Sequence, residues 1–207
     1  NYFDKETEIY KGMKIIDEEL GGTTPLNIIL KFPSNIDNSK SEDDEFEEWE
    51  EDNESDHDDK SKYWFTRDKI DKIIEVHDYL DSLPEIGKVL SFGSILRVAE
   101  ELNNKELQSL EIAVLYSKIP DEIKTEIISP YISVEKDEAR ISVRIKDSLK
   151  DLRRDDLIKK INSELNTKLG LEKEEYKLVG VLILFNNLLQ SLFKSQILTL
   201  GIVILGI

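Results

Sequence analysis

The chain has 207 residues, of which 39% are hydrophobic, so it is long enough to form one domain of ordinary size, or two small ones, around a hydrophobic core. It has no cysteine, which excludes disulfide bonds, thiolate metal sites and cysteine nucleophiles. A net charge of −16 argues against binding to nucleic acid. Because the chain starts at Asn1 and no charged leader or cleavage site follows, we expect it to be part of a longer protein.

The first predicted element is a helix over residues 4–20. Its apolar residues recur at the period of one helical face: Ile9, Met13, Ile16 and Leu20. The Gly-Gly pair of residues 21–22 is typical of a helix end. Residues 25–33 are a short apolar run between two prolines, which predicts a buried strand.

A dense acidic segment follows. Residues 37–60 hold fourteen Asp or Glu residues against two Lys, which leaves a net charge of only −4 for the rest of the chain. Such a composition cannot offset its own ordering entropy by burial, so we predict an acidic, flexible insertion over residues 33–65. The carboxylates could gather Ca²⁺, but the segment lacks the glycine turn and fixed spacing of an EF-hand loop, and a solvated loop is the preferred interpretation.

The middle of the chain alternates between helices and strands. Thr66 is placed to cap a helix that Pro84 ends near residues 82–83, and residues 86–92 then predict a strand that leaves through a glycine. Residues 94–127 contain two or three helical pieces, which we interpret as a helical insertion between strands.

The rest of the domain completes a recurring pattern. Residues 128–134 and 139–145 flank a polar turn, and the strict alternation of the second arm predicts a hairpin with one solvated face. A helix from about residue 151 to Gly170 and a strand over residues 176–179 follow. Without the insertions, the order is strand, helix, strand, strand, helix, strand. This order predicts an α+β fold of the ferredoxin-like, split βαβ type, which implies no function by itself.

The last 27 residues are mostly apolar and contain one charged residue, Lys194. A bilayer span needs about 20 such residues, so residues 181–207 predict an interfacial helix followed by the start of a transmembrane helix. A C-terminal helix buried in the core is the alternative, but Gly201 and Gly206 among Ile and Val favour a membrane helix. The predicted organisation is therefore an N-terminal helix of residues 1–22 that follows a preceding membrane segment, a domain of residues 23–180 and this tail.

Signatures of catalysis are missing from the sequence. It has no Gly-x-Ser-x-Gly elbow, no Gly-rich phosphate loop and no His-Glu-x-x-His helix. Of the two histidines, His57 lies in the acidic segment and His77 lies beside an apolar helical face, where a structural role is expected. The Arg-Arg-Asp-Asp run of residues 153–156 is typical of charge placement at a helix N-terminus. We therefore predict a chain that is not an enzyme and that has no catalytic residue, metal site or cofactor.

Four segments together resemble the first large extracytoplasmic loop of exporters of the RND superfamily (resistance, nodulation and division), in particular their MMPL-like, lipid-handling branch. They are the Glu-Leu-Gly-Gly of residues 19–22 with the following Pro-Leu, the Leu-Pro-Glu-Ile-Gly-Lys-Val-Leu-Ser of residues 83–91, the arginine-bearing strand of residues 139–145, and the Lys-Leu-Val-Gly of residues 177–180, which leads through a helix into an apolar run. The acidic insertion departs from the family's pattern.

The resemblance implies a porter-type domain on the periplasmic side of the inner membrane, in a proton-driven exporter of lipids or other hydrophobic or amphiphilic compounds. The implied partners are the lipid bilayer, the amphiphilic substrate and a second porter domain of the full-length chain. A homo-oligomer is compatible with this role, and nucleic acid is not an expected partner. The proton-relay carboxylates of such exporters lie in membrane helices outside residues 1–207. We expect four residues to line the substrate cleft: Phe92, Ile95, Leu96 and Tyr131.

Two other functions stay open at this point. One is a membrane-anchored sensory or scaffold domain whose sheet and helical insertion bind a protein partner, which needs only one or two membrane helices. The other is an accessory role in protein export of the kind that RND-like proteins play, with the same fold and a polypeptide client.

Overall fold

The computed structural model describes residues 4–32, 64–149 and 152–206. The acidic run of residues 37–60, with its predicted flexibility and cation binding, lies outside these ranges. The described elements are α1 (Glu8–Glu19), β1 (Thr24–Lys31), α2 (Arg67–Asp81), β2 (Ile86–Leu90), α3 (Phe92–Asn103), α4 (Ser109–Lys118), α5 (Asp121–Ile123), a π-helical turn (Lys124–Ile128), β3 (Ile132–Ser133), β4 (Glu138–Ile145), α6 (Arg154–Thr167), β5 (Tyr176–Val179) and α7 (Val181–Gly206).

The fold is α+β, as predicted, with one antiparallel sheet in the order β2-β4-β1-β5. The strand β1 lies inside the sheet and pairs with β4 along its whole length, from Thr24 opposite Ile145 to Lys31 opposite Glu138. On its other side it pairs with β5, and the short β3 pairs with the beginning of β4. The strands predicted from residues 25–33, 139–145 and 176–179 are therefore confirmed.

One face of the sheet forms the core. Leu26, Ile28 and Leu30 of β1 are buried, and so are Ala139, Ile141, Val143 and Ile145 of β4. On the other face of β4, Arg140 and Arg144 are exposed and Ser142 is half-buried, so the solvated face predicted for the second arm of the hairpin is confirmed. Buried residues of α2 and α6 join the same core, which places two amphipathic helices against the apolar face.

Two predicted strands are shorter than expected. The run of residues 86–92 is a strand only to Leu90, because the Ser91 side chain accepts a hydrogen bond from the Gly93 amide and starts α3 at Phe92. In the hairpin, the first arm predicted over residues 128–134 is a strand only at Ile132–Ser133, since the π-helical turn extends to Ile128.

The C-terminal segment is one continuous helix of 26 residues, α7. Its first turn packs on the fold through the buried Leu182, and from Leu184 to Leu200 all but one of its residues are exposed. The alternative of a C-terminal helix buried in the core is therefore wrong. Within the described residues, α7 is the one helix long and apolar enough to cross a membrane, judged by length and composition.

Candidate functional site

Two helices, α1 and α7, join the sheet at the same end. Thr24 at the start of β1 lies opposite Ile145, the last residue of β4, and Asn27 lies opposite Val179, the last residue of β5. Because β5 ends where β1 begins, the chain enters the sheet from α1 and leaves it into α7 on one side. We call this side, marked by the start of β1 and β2 and the end of β4 and β5, the attachment end.

A buried carboxylate ties α1 to the attachment end. Asp17 is only 3% exposed. It accepts hydrogen bonds from the amides of Asp147 at 2.9 Å and Ser148 at 2.7 Å, and from the amide and hydroxyl of Thr23 at 2.9 and 2.8 Å. Burial alone would raise the pKa of Asp17, but these hydrogen bonds outweigh it and hold the pKa below its usual value. The ionised side chain thus fixes α1 to the loop that follows β4.

A glycine turn brings α1 into backbone contact with the sheet. Gly21 and Gly22 have φ values of 82° and 109°, which favour glycine. A Cβ on Gly22 would lie 2.5 Å from the Ile145 carbonyl oxygen, and one on Gly21 would lie 2.7 Å from that of Gly87. No other residue type fits here without displacing backbone, so the direction in which α1 leaves the sheet is set by close packing.

Outside the contacts of Asp17 and the glycine turn, α1 exposes apolar surface, and α7 exposes apolar surface along most of its length. The predicted apolar face of α1 is not covered by the fold: Ile9, Met13, Ile16 and Leu20 are 42–58% exposed. On α7 the exposed apolar residues continue from Leu184 through Ile204. Soluble monomeric proteins rarely carry an apolar surface of this extent, so it indicates contact with a membrane or another protein.

Two adjoining clefts open at the attachment end. The polar cleft is lined by Asp147, Arg154, Asp155 and Asn186, and the apolar cleft by Pro84, Glu85, Leu149, Leu157 and Lys160, while Leu152, Arg153 and Asp156 line both. In the polar cleft, Arg154 pairs with Asp147 at 2.8 Å and the Asn186 amide donates to Asp155 at 3.1 Å. At the apolar cleft, Lys160 pairs with Glu85 at 3.3 Å. The clefts therefore combine leucine walls with ionic groups of both signs.

A buried histidine supports the start of α3. The His77 Nδ1 lies 2.9 Å from the Ser91 hydroxyl, and Ser91 in turn caps α3. Burial lowers the pKa of His77, and the nearby Arg97 lowers it further against the opposing effect of Asp78 and Asp81. Both partners are buried, and Ser91 is 1% exposed, so a substrate has no access to this pair. The geometry fits the structural role expected for His77.

An aromatic cluster closes the fold where the chain returns from the acidic segment. The rings of Trp64 and Phe65 lie 5.2 Å apart, and Phe65 also contacts Phe92 at 5.6 Å and Tyr116 at 4.8 Å. The Lys69 ammonium lies 5.2 Å from the Trp64 ring. The flexible insertion predicted over residues 33–65 is therefore wrong at its end, since Trp64 and Phe65 are buried, and the Tyr-Trp-Phe run before Thr66 is a sequence signal for such a buried segment.

The four residues expected to line a substrate cleft occupy different environments. Phe92 and Leu96 are 5% and 2% exposed and belong to the core, so they offer almost no surface to a ligand in this conformation. Ile95 and Tyr131 are half-buried, and the Arg140 guanidinium lies 5.8 Å from the Tyr131 ring. The clefts at the attachment end are lined by other residues, and the sequence predicts a binding role for none of them: residues 153–156, for example, are predicted only as charge placement at a helix N-terminus.

Among the described residues, no group of three or more His, Asp or Glu side chains is arranged to hold a metal ion. His57 and the acidic segment lie outside them, so the absence of a metal site stays a prediction for the whole chain.

Comparisons with models of protein families, with curated proteins and with solved structures give no significant match. At the attachment end, exposed apolar helices, ionic groups and two clefts meet, which makes it the candidate functional site.

Proposed function

We propose that this chain is the extracytoplasmic, porter-type domain of a proton-driven RND-type exporter of lipids or other amphiphiles. The sheet order β2-β4-β1-β5 supports a ferredoxin-like fold, since α2 connects β1 to β2 across one intervening strand and α6 connects β4 to β5 in the same way. The choice of the RND superfamily rests on the resemblance of the segments around residues 19–26, 83–91, 139–145 and 177–180.

The observation that carries the proposal is the common origin of α1 and α7 at the attachment end. A domain inserted between two membrane helices needs both of its connections to face the bilayer. The 26 residues of α7 correspond to a length of about 39 Å at 1.5 Å per residue, which exceeds the roughly 30 Å of a hydrocarbon core. The exposed apolar face of α1 supports a second membrane contact on the same side.

The anchor of α1 supports a mechanism based on domain motion. Asp17 and the glycine turn join α1 to the loop after β4 and to the start of β2, so a displacement of α1 moves the sheet with it. Energy released in membrane helices can thus reach the domain as a rigid-body movement, as in other transporters whose repeats rock against each other. The chain itself needs no bond chemistry for this role.

The direct test is transport by the full-length protein in reconstituted vesicles. Under an imposed pH gradient, we expect movement of a fluorescent lipid that stops when a protonophore collapses the gradient. Vesicles that move none of a panel of lipids and drugs would contradict the exporter function.

The side of the membrane can be tested separately, because the 207-residue chain has no cysteine. Single substitutions at exposed positions, Ser117→Cys or Glu122→Cys, provide unique labels in a full-length protein freed of any other cysteine. A membrane-impermeant maleimide should label both in intact cells whose outer membrane has been permeabilised. Labelling only after lysis of the inner membrane would place the domain in the cytoplasm.

One observation favours the protein-binding alternative. The helical insertion exposes apolar side chains on both of its longer helices, Val98 and Leu102 of α3 and Leu110 and Val114 of α4, each more than 40% exposed. A scaffold domain would use such side chains to bind a partner, and a full-length protein with one or two membrane spans would favour that function over export. In an exporter, the same side chains are free to contact the second porter domain.

A further inference from the structure

We propose that the polar and apolar clefts at the attachment end form one binding site for an amphiphile with a single hydrocarbon chain and a zwitterionic head group. This inference rests on the proposed function, because it names the substrate class and the place where the domain takes it up. It assigns the site to Asp147 and Leu149, which follow β4, and to Leu152 and the first half of α6, away from Phe92 and Leu96.

The two clefts adjoin each other. Leu152, Arg153 and Asp156 line both of them, so a ligand that occupies both clefts passes over these three shared side chains. The polar cleft lies beside α7 through Asn186, and the apolar cleft lies farther along the sheet edge, beside Pro84 at the start of β2. This order matches a molecule that has a polar group at one end and a chain at the other.

The apolar cleft suits a hydrocarbon chain. Its volume is about 420 Å³, which lies within the usual range of ligand pockets, about 300–1,000 Å³. Three leucines, Leu149, Leu152 and Leu157, form its walls, and Leu149 is 41% exposed. Covering this surface with a chain removes apolar area from water, which is favourable.

The charges around the polar cleft suit a head group that carries both signs. The carboxylate of Asp147 is occupied by Arg154 at 2.8 Å, and that of Asp155 by Lys159 at 2.6 Å. Arg153 is 84% exposed and lies 3.9 Å from Asp156, so this pair is loose and both groups are free to turn toward a ligand. A phosphate fits Arg153 and an ammonium fits Asp156, whereas a purely anionic head group would also meet the carboxylates of the first turn of α6.

The position of the site gives a bilayer lipid a route into it. Asn186 lies in the second turn of α7, the helix proposed to enter the membrane, and it is bonded to Asp155 of α6 at 3.1 Å. An amphiphile that leaves the outer surface of the bilayer along α7 therefore meets the polar cleft first.

The experiment uses the 207-residue chain in lipid nanodiscs and a lysophosphatidylcholine that carries a diazirine at the end of its chain. After irradiation, peptide mass spectrometry should find crosslinks within residues 149–160, and unlabelled lysophosphatidylcholine should compete with them. The diazirine analogue of palmitate, which has only an anionic head group, should crosslink there several-fold less.

Variants test the two halves of the site. Leu152→Trp fills the apolar cleft and should lower crosslinking at least fivefold, and Leu149→Trp, at a more exposed position, is the second choice if the first fails to fold. Arg153→Glu removes the phosphate partner and should weaken binding about tenfold, in line with the loss of one charge-assisted contact. The matched control is Leu110→Trp, at a leucine of α4 that is 75% exposed, which should leave crosslinking unchanged.

Two results would overturn the inference: crosslinks confined to α7 or to α3 and α4, or crosslinks at residues 149–160 that Leu152→Trp and Leu149→Trp leave intact. Failure of this site and failure of the exporter function can be told apart. Transport by the full-length protein without crosslinks at residues 149–160 would remove the site alone, whereas crosslinks in a protein that transports nothing would retain the site and remove the exporter.

Discussion

At the scale of single residues, Asp17 shows how one carboxylate can position a whole helix. All other residues of α1 are exposed except the half-buried Tyr10, so the helix has little apolar contact to hold it. Burying a charge normally costs free energy because its hydration is lost, but four hydrogen bonds from three residues compensate the Asp17 carboxylate for that loss. Apolar side-chain packing contributes little here, so the position of α1 depends on these polar contacts together with the close backbone packing of the glycine turn.

We predict that Asp17→Asn destabilises the chain by about 2–3 kcal/mol at pH 7. The side-chain nitrogen of Asn is a hydrogen-bond donor and would face one of the backbone amides that now donate to Asp17. One buried backbone amide would therefore have no acceptor. The free energy of unfolding, from urea titrations followed by circular dichroism, measures the effect. Glu18→Gln is the control, because Glu18 is exposed on the same helix and makes only a surface ion pair with Lys14 at 3.7 Å.

The same carboxylate should contribute to acid sensitivity. Because the pKa of Asp17 is lower in the folded chain than its ordinary value of 3.8, its contribution is fully present above that value and is lost as the pH falls through the folded pKa. Urea titrations below pH 4 should therefore show a smaller loss of stability with falling pH for Asp17→Asn than for the parent chain. Parallel curves for the two proteins would show that Asp17 is not the responsible group.

At the scale of elements, the sequence predicts a helix or strand correctly where its hydrophobic pattern is periodic and depends only on that segment. The alternation in β4 and the proline-bounded run of β1 predicted both strands, because alternate side chains of a half-buried strand face the core and solvent in turn. The end of β2 is set differently. Residues 86–92 are apolar enough to continue as a strand, but the side chain of Ser91 bonds the Gly93 amide and His77 of α2, a contact across the fold that no local pattern displays.

The glycine turn allows a prediction about how α1 meets the sheet. Gly22→Ala places a methyl group against the Ile145 carbonyl at a φ of 109°, so we expect a loss of more than about 2 kcal/mol. Gly12→Ala is the matched control. Gly12 lies within α1 with nothing near its missing Cβ, and alanine there should stabilise the helix by roughly 0.5–1 kcal/mol. Thermal unfolding of both variants gives the comparison, and equal melting temperatures would show that the turn tolerates a side chain.

At the scale of the whole molecule, the candidate site consists of residues that are far apart in the sequence. The two clefts are lined by residues 84–85, by Asp147 and Leu149, by residues of the range 152–160 and by Asn186, which meet because β2 begins where β4 and β5 end. Strand order and register bring these residues together, and neither can be predicted from the sequence of one segment alone. The tail, by contrast, was predictable from its composition as a helix long and apolar enough to cross a membrane, because length and apolarity are properties of the local sequence.

The decisive property of the whole molecule is whether α7 carries the chain into a bilayer. We predict that the 207-residue chain floats with phosphatidylcholine vesicles in a density gradient. These vesicles carry no net charge, so they neither attract nor repel a chain with a net charge of −16. Replacing Ile197 and Ile202 of α7 by lysine should abolish flotation, since a charge within a membrane helix opposes insertion, by about 2.5–3.5 kcal/mol at the helix centre and by less toward its ends.

The matched control introduces the same charges into the other exposed apolar surface. Val98 and Leu102 of α3 are 57% and 81% exposed, comparable to 71% and 64% for Ile197 and Ile202, so the double lysine variant of α3 changes charge and apolar area to a similar extent. Flotation of the α3 variant but not of the α7 variant would place the membrane contact in α7. Loss of flotation in both variants would instead indicate nonspecific apolar adhesion to the vesicles. That result would contradict the membrane insertion of α7 on which the export proposal depends.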